Sequence, residues 1–187
     1  MAFIGSNPVI SYATAEDLRD RDQRFFEAND GIQFAGASSQ LPTPTDLDEY
    51  LEDLAIRSTQ RINQKIRASS AWREYMNHVG IDNDINNIPA IDPDLIIDRK
   101  EAFTDMCVYY TFKEYLMPKM ADFTEDSPET VKIRYYENKF NDLFTELTSV
   151  WDWYDVNNDG TVADSEKLVR GIKSRRSRGT RSRTYVR

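Results

Sequence analysis

The sequence predicts an all-α protein: a helical bundle with an extended N-terminal region and an extended basic C-terminal arm. Three observations carry that prediction. Apolar residues recur at spacings of three and four through two long stretches, 46–67 and 128–154, as they do in helices that bury one face. Capping residues and breakers stand at the ends of these stretches and of the shorter periodic ones. The charge is also divided along the chain. Nine of the 24 basic side chains and none of the 32 acidic ones follow Glu166, so residues 1–166 carry 15 basic against 32 acidic groups, a net −17, and the remainder is +9.

Residues 1–13 read as extended. Thr14 suits the N-cap of a short helix over 15–27, with Leu18, Phe25 and Phe26 on one side. Asn29-Asp30-Gly31 stops it, and 31–43, with its Gly, Ser, Gln and Pro, reads as a loop or arm. Thr45 then caps a helix over 46–67 whose buried stripe is Leu47, Tyr50, Leu51, Leu54, Ser58, Ile62 and Ile66. Ser69 or Ser70 starts a shorter helix carrying Trp72, Tyr75, Met76 and Val79, and Gly80 ends it. The Asx-rich stretch 81–93 lacks both the glycine and the closing glutamate of a metal loop and reads as turns.

A helix that starts at 94 or 98 and runs to 117 holds Phe103, Met106, Cys107, Tyr110 and Leu116. Apolar on much of its circumference, it belongs in the centre, and Pro118 hinders its continuation. Ser127-Pro128-Glu129 opens the last long helix with a capping hydroxyl, a proline in the first turn and an acid at the positive end of the dipole. Tyr136, Phe140, Leu143, Phe144, Leu147, Val150, Trp151 and Tyr154 keep one face of it apolar. At 1.5 Å per residue it would be roughly 40 Å long. A short exit helix over 164–172 leads into the arm. The expected organisation is an N-terminal arm with a short helix (1–44), a helical bundle (45–154), an EF-hand-like loop with its exit helix (155–172) and a basic arm (173–187).

The loop from Asp155 to Glu166 fits the twelve-position calcium loop of an EF-hand. Side-chain oxygens stand at the first, third and fifth positions in Asp155, Asn157 and Asp159, the Thr161 carbonyl follows, and Glu166 closes the loop. A hard cation takes about six to eight oxygens, the rest of which water supplies. Gly160 sits where the chain turns with positive φ, and Val162 is an apolar anchor. Two readings fit these residues: a structural calcium site, or an Asx-rich turn that binds nothing. No second loop of this type pairs with it.

Nothing in the sequence argues for an enzyme. His78 is the sole histidine, and there is no Gly-rich phosphate loop, zinc spacing or nucleophile with a plausible base. Cys107, the sole cysteine, reads as a small buried hydrophobe. No apolar run approaches the roughly 18 residues of a membrane span, and residues 1–6 lack a signal peptide's basic start and long apolar stretch. The expectation is a soluble protein of a reducing compartment.

The arm from Lys173 to Arg187 has too few apolar residues to fold alone. Its chemistry admits phosphate neutralisation on nucleic acid, ordering on an acidic protein groove through Arg forks with Tyr185 and Val186 as anchor, or a solvated tail. The candidate partner-binding residues are Lys173, Arg175, Arg176, Arg178, Arg181, Arg183, Tyr185 and Arg187.

The order of features from Leu47 onward resembles the head-to-tail connector, or adaptor, proteins of tailed bacteriophages. The resemblance lies in Leu47-Asp48-Glu49-Tyr50-Leu51-Glu52-Asp53-Leu54 running on to Arg61-Ile62-Asn63, in the apolar helix from Ala102 to Leu116, and in Tyr135-Tyr136-Glu137-Asn138-Lys139-Phe140. Trp153-Tyr154-Asp155-Val156-Asn157-Asn158-Asp159-Gly160 with the Arg-rich end completes it. The resemblance implies a non-catalytic protein of the virion neck. It would form a ring, usually a dodecamer, beneath the portal protein, continue the DNA channel, contact downstream tail proteins and fasten to the portal through its C-terminal arm. Acidic residues of the bundle would then include those lining the channel, where a like charge lets genomic DNA slide. Two further readings rest on the residues alone: a calcium-responsive nucleic-acid-binding module, and a structural calcium protein of a host cell.

Overall fold

In the computed structural model, which describes residues 11–28, 47–81, 88–119 and 127–169, the chain is mostly helical with one small two-stranded sheet. The helices are α1 (Ala15–Arg21), α2 (Gln23–Ala28), α3 (Leu47–Ala68), α4 (Ser70–His78), α5 (Lys100–Thr111) and α6 (Pro128–Ser149). The strands are β1 (Val150–Trp151) and β2 (Leu168–Val169). Eight of the twelve residues of α5 are buried, and it packs against α1, α3 and α6, the central place its all-round apolar surface requires.

Buried polar side chains between α3 and α5 find partners, as burial demands. Ser58 and Thr111 share a 2.7 Å hydrogen bond between α3 and α5, and the Cys107 thiol donates to the Ala55 carbonyl at 3.4 Å. Residues 11–13, expected only to be extended, are tied into the core. The Tyr12 N–H donates to Thr59 Oγ1 at 3.0 Å, its carbonyl accepts from Thr104 Oγ1 at 2.8 Å, and its hydroxyl donates to Asn63 at 2.6 Å. Tyr12, Ala13 and Leu18 join the same core as α3 and α5.

Local signals place three of the six helix starts among the described residues. Thr14 and Asp17 form a reciprocal capping box on α1. Ser69 accepts from the Trp72 N–H at the head of α4, and Ser127 accepts from the Thr130 N–H ahead of Pro128 in α6. Gly80 ends α4 at φ +79°. The cap expected at Thr45 lies outside the described residues. The helix predicted over 15–27 is two helices, because Asp22 leaves helical geometry and its carboxylate accepts from the Phe25 N–H at 3.2 Å. The same carboxylate takes Lys132 Nζ at 2.7 Å and the Tyr136 hydroxyl at 3.2 Å, which ties the break to α6.

Two further elements depart from the predicted layout. After α5 the chain widens into a π turn, Phe112–Leu116, in which the Met117 N–H reaches the Phe112 carbonyl. Pro118 has no N–H to give to the Glu114 carbonyl, and the wider turn is the local response. The helix predicted to reach Tyr154 stops at Ser149. Its last carbonyls find side-chain donors: Thr148 Oγ1 to Phe144 at 2.7 Å, Ser149 Oγ to Glu146 at 2.8 Å and Trp153 Nε1 to Leu147 at 3.0 Å.

Trp151, Trp153 and Tyr154 thereby leave the helix and enter an aromatic hub. Tyr75 stacks on Trp151 with centroids 4.7 Å apart, Trp151 lies 4.9 Å from Trp153, and Phe103 meets Trp153 edge-on at 4.8 Å. The hub joins α4, α5 and the segment after α6. Trp153→Ala should cost about 3–5 kcal/mol of stability, measured by urea denaturation; a cost no larger than that of an exposed-site control would show that the hub is peripheral to folding.

Candidate functional site

The loop after α6 begins where the backbone is sewn to the segment before α5. The Asp155 N–H donates to the Leu95 carbonyl at 2.9 Å and the Ile97 N–H to the Trp153 carbonyl at 3.1 Å. Arg99, in the left-handed region at φ +55°, spreads its guanidinium between Glu146 and Asp152, each at 2.8 Å. From this anchored entry the chain turns through Asn158 at φ +55° and Gly160 at φ +86°, and Val162 packs inward.

The five residues predicted to hold calcium fall into separate roles. Asp155 is 1% exposed and Glu166 3%, so each carboxylate needs partners. Asp155 accepts from the Asp159 N–H at 3.3 Å and the Gly160 N–H at 2.7 Å. Glu166 Oε1 accepts from the Val156 and Asn157 N–H groups, both at 3.0 Å, and Oε2 from the Ala163 N–H at 2.8 Å. Asp159 lies at the exposed tip and accepts from the N–H and hydroxyl of Thr161, both at 2.9 Å. Asn157 is exposed and enters the network through its backbone N–H. Backbone amides thus supply positive partners to both buried carboxylates. Among the described residues, no group of three His, Cys, Asp or Glu side chains stands where it could hold a metal ion.

The loop closes differently from the helix–loop–helix expected of it. Residues 164–166 form a turn, with Lys167 paired to Asp164 at 2.8 Å. In place of an exit helix, β2 runs antiparallel to β1, with Val150 opposite Val169 and Trp151 opposite Leu168. The ladder is available because Val150 is already extended at the end of α6. Tyr75, a residue the sequence showed only as part of a helical stripe, sits under the loop and donates its hydroxyl to the Tyr154 carbonyl at 3.1 Å. Burial, then the Glu166, Tyr154 and Asp155 groups, push its ionisation well above the ordinary tyrosine range. No local signal pointed to Tyr75, Leu95 or Arg99, because their roles arise from contacts distant in sequence.

Cys107 stands apart from this site, fully buried, and burial pushes its thiol up to about 12, so it holds almost no thiolate at neutral pH. The arm residues Lys173, Arg175, Arg176, Arg178, Arg181, Arg183, Tyr185 and Arg187 lie outside the described residues. No protein-family profile, curated protein or solved structure matches the chain.

The geometry makes two predictions. Glu166→Ala strands three backbone donors and should cost roughly 3 kcal/mol, with Glu166→Gln recovering part of it and the loss persisting in chelator. Melting curves with and without calcium check this; a loss confined to calcium-containing buffer assigns the loop to the cation. Thiol labelling of Cys107 at neutral pH should proceed no faster than global unfolding, and rapid labelling of the native protein would contradict its burial.

Proposed function

We propose that this chain is a structural virion protein of a tailed bacteriophage, a head-to-tail connector whose helical bundle forms a ring beneath the portal and continues the DNA channel. The observation that carries this reading is the placement of the anchored loop at the junction of the charge split. The last acidic residue is Glu166, and from Lys167 onward every charged side chain is basic. At that junction two buried carboxylates and the β1–β2 ladder hold the backbone. A strap that must reach a neighbouring protein in a defined direction needs such a fixed point, since a flexible root raises the ordering cost of docking.

Other features agree with an assembly role. The resemblance spans features from Leu47 to the C-terminus in their order. No helix among the described residues is long and apolar enough to cross a membrane. The net negative charge of residues 1–166 suits a wall past which DNA slides, because like charge suppresses adhesion. Cys107, buried and protonated, is unsuited to nucleophilic chemistry.

Mixing the purified chain with its cognate portal should give a ring, seen by electron microscopy, with twelve copies expected. Removing residues 173–187 should abolish the assembly while leaving the melting temperature of the free chain within a few degrees. Assembly that survives the deletion, or a chain that binds duplex DNA through this arm and ignores portal, overturns the proposal.

A further inference from the structure

α3 and the π turn each deliver one lysine to the same pair of aromatic rings. Lys113 Nζ lies 5.2 Å from the Tyr110 centroid and 5.1 Å from that of Phe140. Lys65 Nζ lies 5.4 Å and 5.2 Å from the same two centroids. The rings themselves meet edge to face at 5.3 Å. Each contact is attractive, yet together they hold two like charges at one place.

Among the described residues, Glu114 and Glu137 are the acids that act on this pair. Lys113, with its side chain only 8% exposed, is paired with the adjacent Glu114 at 2.9 Å. Lys65 has its ammonium ionisation lowered, first by burial and then by Lys113, and Glu114 and Glu137 oppose that shift without cancelling it. Burial, then Glu114, raise the Tyr110 ionisation, and Arg61, a third positive group nearby, opposes that rise. The π turn contributes to the geometry because it carries Lys113 out of regular α-helical register, and such turns recur at functional sites.

We propose that Lys65 and Lys113 form an oxyanion site that takes a phosphate group. A tetrahedral dianion can accept from both ammonium groups and relieves their repulsion, and lysine serves as a point charge for phosphate. A carboxylate is planar and singly charged, and Glu114 already supplies one. The phosphate is either the free ion or part of a nucleic-acid backbone. The site is independent of the connector reading, since it lies on α3 and the π turn and uses neither the loop nor the arm.

The test uses the full-length chain with isotope-labelled dimethyl-lysine signals, titrated with inorganic phosphate at constant ionic strength. Lys65 and Lys113 should shift together and saturate with one midpoint, while Lys132 and Lys167, paired with carboxylates elsewhere, should not. Lys113→Met keeps the apolar stem and should weaken the midpoint at Lys65 about tenfold. Lys65→Gln, at an exposed position, should do the same at Lys113 if the first variant fails to fold. A drift at Lys65 that never saturates and matches Lys132 and Lys167 overturns the proposal. A second titration with duplex oligonucleotide separates the sources. Saturation at lower phosphate concentration than with the free ion assigns the site to a nucleic-acid backbone, and a response to inorganic phosphate alone assigns it to the free ion; either result upholds the oxyanion site.

Discussion

Two carboxyl side chains, Asp155 and Glu166, are buried in the loop that follows α6, and the loop takes its shape from the need to satisfy them. An unpartnered buried carboxylate costs several kcal/mol or shifts to its neutral form. Asp155 and Glu166 gather five backbone N–H groups as partners, from Val156, Asn157, Asp159, Gly160 and Ala163. Such concavities of backbone donors are anion sites in their own right. Here the anions belong to the chain, eleven residues apart, and they hold the turn shut from both ends.

The network rests on the aromatic hub. Tyr75 and Trp72 come from α4, Phe103 from α5, and Trp151 and Trp153 from the chain leaving α6. Displacing the loop would therefore disturb several helices. Arg99 adds a second restraint, since its two ion pairs reach the last turn of α6 and the residue after β1. These pairs are partly exposed and individually weak, so the stiffness of the junction comes chiefly from packing and from the backbone bonds to Leu95 and Ile97. For a protein proposed to launch a strap toward a neighbour, that places rigidity where the acidic body gives way to basic chain.

The places where the reading of the residues went astray share a cause. Val150, Trp151 and Tyr154 continue the helical stripe that begins at Tyr136, so periodicity alone extends α6 through them. The helix stops because the Trp153 indole takes the Leu147 carbonyl and because residues 150–151 pair with 168–169, partners that a window of neighbouring residues does not contain. The exit helix failed for the same reason, as Leu168 and Val169 suit a strand once an extended partner is present. By its neighbours in sequence Asp22 is an ordinary helical position, whereas its carboxylate serves the Phe25 N–H, Lys132 and Tyr136 together.

Helix starts at Thr14, Ser69 and Ser127, the turns at Gly80 and Gly160, the burial of Cys107 and the division of charge were all legible in the residues. Each depends on chemistry within a few positions, or on composition, and such effects act before the chain is folded. The partners of Asp155 and Glu166, the ladder that replaces the exit helix, and the meeting of Lys65 with Lys113 over Tyr110 and Phe140 were settled by packing. The ladder and the lysine pair join residues distant in sequence, the two carboxylates bond within their own loop, and a carboxylate or an ammonium has the same local sequence whether it faces a cation, an amide or a ring.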